Sequence, residues 1–338
     1  MKRIVCRRLG PPSVLAIEDM TPTPPGAGEV TVTVHAAGVN FPDLLMVAGG
    51  YQHKPPLPFC PGFEIAGRIS AVGADVNDFK PGDSVMVRTG TTHDGFADAV
   101  TLPARKVIRM PKGMTYAEAA GFLVVYRTAI HSLEQKAALR PGETLAVLGA
   151  GGGVGIASVQ VGRAMGARVI GVAAGAKLRH VTAEGASAVV DYGTESVRDR
   201  LKDLTGGRGV DVVLDTVGGA YFDAALRALA TEGRYLVVGF AAGGGFPSVP
   251  ANQVLIKEAA ILGVRAGEFG RRYPEIEAEN IRRLLALYRI GLIRPVVGRT
   301  YPLEEASAAL EALARREVVG KIVLVTEAGR RDPGAAPG

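Results

Sequence analysis

Leu145-Ala146-Val147-Leu148-Gly149-Ala150-Gly151-Gly152-Gly153-Val154-Gly155 is the stretch that decides the fold of this chain. Four apolar residues suited to a buried strand run into a glycine-rich bend, and a helical pattern follows. A bend of that kind brings backbone N–H groups and a helix N-terminus to where a pyrophosphate can rest. Strict G-x-G-x-x-G spacing needs glycine at 150, 152 and 155. Position 150 is alanine, so the match is A-x-G-x-x-G with Gly149 beside it. A glycine turn that serves only helix–strand packing has the same local sequence. The strand before it, the helix after it and a second strand beyond favour a dinucleotide cradle.

Outward from the bend, strand and helix patterns alternate. Strands are expected at Thr144–Leu148, Arg168–Ala173, Ala188–Val190, Val210–Leu214 and Gly233–Val238. Helices are expected at Val154–Met165, Lys177–Glu184, Glu195–Leu204 and Tyr221–Ala230. That order predicts βαβ units around a doubly wound parallel sheet. The apolar segment Leu255–Val264 is placed to extend it.

An acid about 20 residues past the bend, at the end of the second strand, marks NAD through the ribose 2′-hydroxyl. Here that position reads Val172-Ala173-Ala174-Gly175-Ala176-Lys177, with no acid. Small residues leave room for a 2′-phosphate and Lys177 can pair with it, so NADPH is favoured over NADH. An ordinary solvated lysine on a first helical turn is the alternative.

Before the bend, Glu29–Ala37, Glu64–Val72, Ser84–Arg88 and Ala97–Arg109 read as strands, separated by Pro24-Pro25-Gly26, Pro61-Gly62 and Pro81-Gly82. Short strands with this punctuation suggest a compact barrel or sandwich. Thr115 and Glu118 form a capping box ahead of a helical segment that runs to about Ala138. After the α/β stretch come a helix at Pro274–Ile290, a short strand near Val296, a helix at Leu303–Arg315 and a strand at Lys321–Val325.

The 338 residues suit about two domains at roughly 150 residues each. Two cysteines, Cys6 and Cys60, exclude a disulfide-dense scaffold and any all-cysteine metal site. No apolar run reaches the roughly 20 residues of a membrane helix. The start lacks a signal-peptide pattern, so a cytoplasmic protein without a membrane partner is expected. The net charge of +6 comes from scattered Lys and Arg, and without a basic stripe interleaved with aromatics nucleic acid is a poor partner.

Several further segments resemble a known family. They are Ala37-Gly38-Val39-Asn40-Phe41-Pro42-Asp43-Leu44, Pro61-Gly62-Phe63-Glu64-Ile65-Ala66-Gly67 and Lys80-Pro81-Gly82-Asp83. With them go the 149–155 bend, Asp211–Gly219, Val238-Gly239-Phe240-Ala241 and Gly320-Lys321-Ile322-Val323-Leu324. In this order they resemble the zinc-independent quinone oxidoreductases of the medium-chain dehydrogenase/reductase superfamily. The resemblance implies a GroES-like catalytic domain in two parts (1–123 and 263–326) around a Rossmann NADP-binding domain (124–262), with a flexible tail (327–338). It implies a homodimer formed through Leu255–Val264. It places Lys177, Tyr192 and Arg316 on the 2′-phosphate with Gly175 alongside, and Gly149, Gly152, Gly153 and Val154 on the pyrophosphate. Val217, Gly239, Phe240, Ala241, Val264, Arg265 and Ala266 would line the nicotinamide half. Phe41, Leu45 and Thr128 would border the substrate side. Ile130 and Arg265 depart from the family pattern, which often has tyrosine and an aromatic there.

Related alcohol dehydrogenases hold catalytic zinc at positions that here are Asn40 and Phe63, leaving only Glu64. No metal site is therefore expected, and Glu64 reads as structural, paired with an arginine. What remains is hydride delivery to an electron-poor small molecule, a quinone or enone. Asn40 is a candidate donor to the acceptor carbonyl or a turn residue. Asp43 is a candidate for fixing the loop or the cofactor ribose. Tyr51 is a candidate for orienting substrate or supplying a proton, or an exposed loop aromatic. An enoyl-thioester reductase, with Arg265, Arg271 and Arg272 on CoA phosphates, is the alternative enzyme. A catalytically idle NADPH sensor or RNA-binding protein is the alternative outside enzymes.

Overall fold

A computed structural model describes residues 1–90 and 94–332. Chain contacts divide it into two units, one formed by 1–124 with 295–338 and the other by 125–294. Residues 263–294, expected with the first unit, cluster with the second.

The first unit begins with the hairpin of β1 (Lys2–Cys6) and β2 (Leu15–Asp19). The eleven-residue β3 (Glu29–Val39) runs directly into α1 (Phe41–Val47). Asn40 and Asp43 close a capping box there, as Pro42 stops the strand and suits a first helical turn. Next come β4 (Glu64–Val72), β5 (Ser84–Arg88), β6 (Ala99–Pro103), β7 (Val107–Arg109) and α2 (Tyr116–Ala120). The expected strand at 97–109 is two strands, because Pro103 withholds an N–H and a helical turn at 104–106 intervenes.

The boundary between the units falls within α3 (Leu123–Ile130), which widens into a π turn at 131–136. The parallel sheet follows as β8 (Thr144–Leu148), α4 (Gly153–Ala164), β9 (Arg168–Ala173), α5 (Lys177–Ala183) and β10 (Ala188–Asp191). Then come α6 (Val197–Leu204), β11 (Val210–Asp215), α7 (Tyr221–Arg227), β12 (Leu229–Val237), α8 (Ala251–Lys257) and β13 (Ala260–Gly263). The strand order β10-β9-β8-β11-β12-β13 is that of a Rossmann sheet, which reverses direction between β8 and β11. All five residues of β8 are buried, as both faces of a parallel sheet are covered. The first three residues of the expected apolar segment 255–264 lie in helix α8, and only β13 joins the sheet. The unit closes with α9 (Ala266–Arg272) and α10 (Pro274–Arg289).

The chain then returns to the first unit with β14 (Val297–Pro302), α11 (Ala306–Ala314), β15 (Lys321–Val325) and α12 (Glu327–Arg331). Its seven-stranded sheet has the order β14-β15-β3-β4-β5-β7, with β6 also on β3. Val32, Val34, Ile65, Val85, Val87, Ile322 and Leu324 fill the core beside it. Among the described residues no helix is long and apolar enough to cross a membrane.

Candidate functional site

In a doubly wound sheet, ligands gather at the carboxyl ends of the strands where the order reverses. The glycine bend occupies that place. Gly149 leaves β8 at φ 76°, and its N–H donates to Val172 O of β9 at 3.0 Å. Gly152 caps α4, and no side chain covers the first amides of that helix. A Cβ at Gly155 would lie 2.1 Å from Gly149 O, so only glycine lets helix and bend meet. A Cβ at Gly149 would lie 2.4 Å from Thr216 Oγ1, which itself donates to Leu148 O at 2.9 Å. The site thus presents open N–H groups on a backbone packed too tightly for side chains, which suits a pyrophosphate.

Around this bend the structure gathers several expected residues. The Lys177 stem lies against Gly151, where a Cβ would be 2.9 Å from Lys177 Cδ. Tyr192 follows β10, with its ring 4.6 Å from that of Tyr221. Val217, Gly239, Phe240 and Ala241 collect beyond β11 and β12, the Ala241 N–H donating to Thr216 O. Val264 joins them, donating its N–H to Val237 O at 3.0 Å. Arg265 caps α9 and is exposed beside Ala266. Arg271 and Arg272 both pair with Glu268, so the cations expected to meet a CoA phosphate already have an acid. Thr128 lies half-buried on α3, where its carbonyl accepts from Ser132 Oγ. Arg316 sits in the other unit, just past α11, at φ 55°.

Two acids without an assigned role shape this cradle. Asp215 ends β11 and is buried. Its Oδ1 accepts the N–H groups of Val217 (2.7 Å) and Gly218 (2.9 Å), while Tyr235 donates its hydroxyl to Oδ2 at 2.7 Å. Burial moves the Asp215 carboxyl upward against these donors. Asp191, at the end of β10, accepts from Gly175 N–H at 3.2 Å and Gly193 N–H at 2.9 Å. An acid therefore does reach the β9 end, from the next strand, and it is engaged with backbone.

In the first unit, Asn40, Asp43, Glu64 and Lys321 form one buried knot. Lys321 Nζ donates to Asn40 Oδ1 (2.6 Å), Glu64 Oε1 (2.9 Å) and Val39 O (2.9 Å), using all three ammonium protons. Asn40 Nδ2 donates to Glu64 Oε1 and to Gly38 O, both at 3.1 Å. Glu64 Oε2 accepts Val124 N–H at 2.8 Å. Asp43 accepts from the N–H groups of Asn40 (2.9 Å) and Gly62 (2.8 Å), and burial pushes its carboxyl up to about 7. Glu64 thus pairs with a lysine rather than with the expected arginine. Both amide protons of Asn40 are committed inside the protein. Tyr51 is half-buried on its loop, edge-on to Phe63 with centroids 6.0 Å apart. Phe41 and Leu45 lie half-buried on α1.

The zinc-binding dehydrogenase family matches residues 153–283, and the alcohol dehydrogenase GroES-like domain matches residues 26–112. The quinone oxidoreductase-like protein 2 of Bos taurus is 38% identical over 323 residues, 95% of this chain and 91% of its own. The Escherichia coli quinone oxidoreductase complexed with NADPH superposes with a TM-score of 0.86 at 29% identity, covering 96% of this chain and all of that one. CurK enoyl reductase gives a TM-score of 0.86 at 26% identity, covering 96% and 99%. The chain belongs to the quinone oxidoreductase-like family of the medium-chain dehydrogenase/reductase superfamily.

One half of this family's name in the larger group implies zinc, so the fit matters. The residues do not suit the metal. Asn40 and Phe63 stand at the ligand positions, and the remaining carboxylate, Glu64, already binds the Lys321 ammonium. Among the described residues no group of three or more His, Cys, Asp or Glu could hold a metal ion. Cys6 and Cys60 are buried thiols whose pKa values burial raises, the opposite of a metal-ligating thiolate. Sequence reasoning passed over Lys321, though a charged residue opening the otherwise apolar strand Lys321–Val325 was the available signal.

Proposed function

We propose that this oxidoreductase uses NADPH to reduce quinones or quinone-like α,β-unsaturated carbonyls without zinc. The observation that carries the reading is the Lys321–Glu64–Asn40 knot at the positions where zinc enzymes of the superfamily hold their metal. With these groups bound to one another, the acceptor must be electron-poor by its own chemistry. When bound, NADPH supplies a hydride, which with one proton converts a quinone to a hydroquinone and leaves NADP⁺.

The chain's own residues then bind and orient. Gly149 and Gly152–Val154 hold the pyrophosphate, and Asp215 fixes the Val217–Gly218 turn on the nicotinamide side. Lys177 and Tyr192 take the 2′-phosphate, with Gly175 fixed by Asp191. Asn40 and Asp43 keep α1 in place and so present Phe41 and Leu45 to the acceptor. Tyr51 supplies a hydroxyl toward the acceptor, and water is the other proton source.

The same reading takes the working form as a cytoplasmic homodimer. β13 is the open edge of the parallel sheet, and Leu255 and Ile256 beside it are 78% and 66% exposed. An unpaired edge flanked by exposed apolar residues suits a second copy.

NADPH oxidation measured against quinones, enones and short enoyl-CoA thioesters tests the reading. Quinones or enones should give the higher kcat/KM. A thioester preferred by orders of magnitude would overturn it, and the likeness to an enoyl reductase makes that the second reading.

A further inference from the structure

The knot continues as a row of polar side chains across one end of the seven-stranded sheet. Lys321 lies one step past the Ile322–Val39 pair, beside Asn40. Gly38 pairs with Glu64, and Glu64 pairs with Arg88 of β5. One step past the Val87–Val107 pair, Arg88 lies near Lys106, the last residue of the helical turn before β7. Directly opposed residues of antiparallel strands share a face, as Glu64 and Arg88 do, and the row runs from Lys321 and Asn40 through this pair to Lys106.

The inner half of the row is satisfied. Both oxygens of Glu64 are engaged by Lys321, Asn40 and the Val124 N–H. The outer half is not. Like charges held close together are unfavourable, and Arg88 and Lys106 are near enough to repel each other. Among the described residues neither makes an ion pair or a side-chain hydrogen bond with an acid. Both are half-buried, and Arg105 adds a third positive charge alongside Lys106. Burial lowers the pKa of each below its ordinary value; for Arg88 the nearby Glu64 opposes that shift without an ion pair, and for Lys106 the neighbouring Arg105 and Arg88 add to it.

The pair is also well placed. Thr89, next to Arg88, donates its N–H to Phe63 O at 3.0 Å, and Phe63 carries Tyr51 edge-on. A Cβ at Gly90 would lie 3.6 Å from Lys106 Nζ, so that ammonium lies over the loop leaving β5. Arg88 thus lies within electrostatic reach of Tyr51, the residue proposed to face the acceptor, and Lys106 lies beside Gly90, two residues on in the chain.

We propose that Arg88 and Lys106 form an anion-binding edge of the acceptor site, so that the preferred acceptors are quinones or enones bearing a carboxylate, sulfonate or phosphate group. This rests on the reductase reading given above. A bound anion relieves the repulsion within the pair, and its ring then lies against Tyr51 and Phe63.

The test compares 1,2-naphthoquinone with its 4-sulfonate as acceptors, in the parent and in Arg88→Gln, Lys106→Gln and Arg88→Lys. The parent should favour the sulfonate, with a preference that shrinks as salt is added. Each glutamine variant should lose about tenfold or more in kcat/KM for the sulfonate and less than about twofold for the neutral quinone, and Arg88→Lys should retain part of the preference. Equal losses for both acceptors, or none for either, would overturn the proposal. Calorimetric titration with naphthalene-1-sulfonate and with neutral 1-naphthol answers the same question without turnover. If neither quinone is reduced, the reductase reading fails alone: sulfonate affinity abolished by Arg88→Gln still supports the anion edge, and unchanged affinity removes it. Melting curves show which variants are folded, and Arg88→Lys keeps the charge if Arg88→Gln is not.

Discussion

The Lys321 ammonium lies 2.9 Å from Glu64 Oε1, with both side chains buried. Attraction across such a pair roughly offsets the cost of desolvating it, but either charge alone is strongly unfavourable. Lys321→Met is thus expected to destabilise the protein by about 3–5 kcal/mol. The double variant Lys321→Met with Glu64→Gln should recover much of that. Denaturant unfolding of the parent, Lys321→Met, Glu64→Gln and the double variant checks it, and additive losses would show that the two side chains act independently.

Asp43 gives this corner a pH dependence. Folded, it holds its proton up to about pH 7, whereas its ordinary value is 3.8. Between these values the folded state binds more protons than the unfolded one, so stability falls as pH rises, by at most about 1.4 kcal/mol per pH unit. Asp43→Asn removes that slope. The stability gap between parent and variant should therefore narrow from pH 4.5 to pH 8, as read from urea midpoints. A constant gap would mean that Asp43 is already ionised when folded.

The glycine bend separates packing from binding. Gly155→Ala forces a Cβ against Gly149 O and should lower stability by about 1–3 kcal/mol. At Gly152 a Cβ meets only Gly149 O, at 3.4 Å, so Gly152→Ala should melt close to the parent. It should nonetheless weaken NADPH binding, because the new methyl group stands at the mouth of α4. Paired melting and binding measurements test this contrast.

Lys177→Ala should weaken NADPH by about tenfold or more and NADH by less than about twofold, since only NADPH offers a 2′-phosphate to a charge-assisted hydrogen bond. Calorimetric titration with both dinucleotides reads the ratio, and equal losses would remove Lys177 from that role.

Leu255→Glu should shift the sedimentation of the protein toward monomer. The new charge would be buried beside β13 in a dimer that continues the sheet across its edge. An unchanged species distribution would point to another interface.

The α/β unit was legible because its signals are local. Apolar strands, a glycine bend and helical periodicity each occupy a few consecutive residues, and β8 and α4 formed where they were expected. Boundaries were less legible where neighbours decide. Leu255 and Ile256 are as apolar as any strand residue, yet they lie on helix α8 because their segment starts from Pro250 and ends in a left-handed turn at Glu258. The site divided in the same way. The roles of Lys177 and the glycines could be framed from a short segment. The Asn40 surroundings depend on Glu64 and Lys321, which are 24 and 281 residues away in sequence. Only strand pairing in the folded sheet brings them together.

A positive charge anchored to the backbone at residue 321 cannot be diluted, exchanged or stripped by a chelator. On the zinc-free reading proposed above, this corner's folding equilibrium carries no mass-action dependence on a dissolved metal, and it assembles with the chain itself.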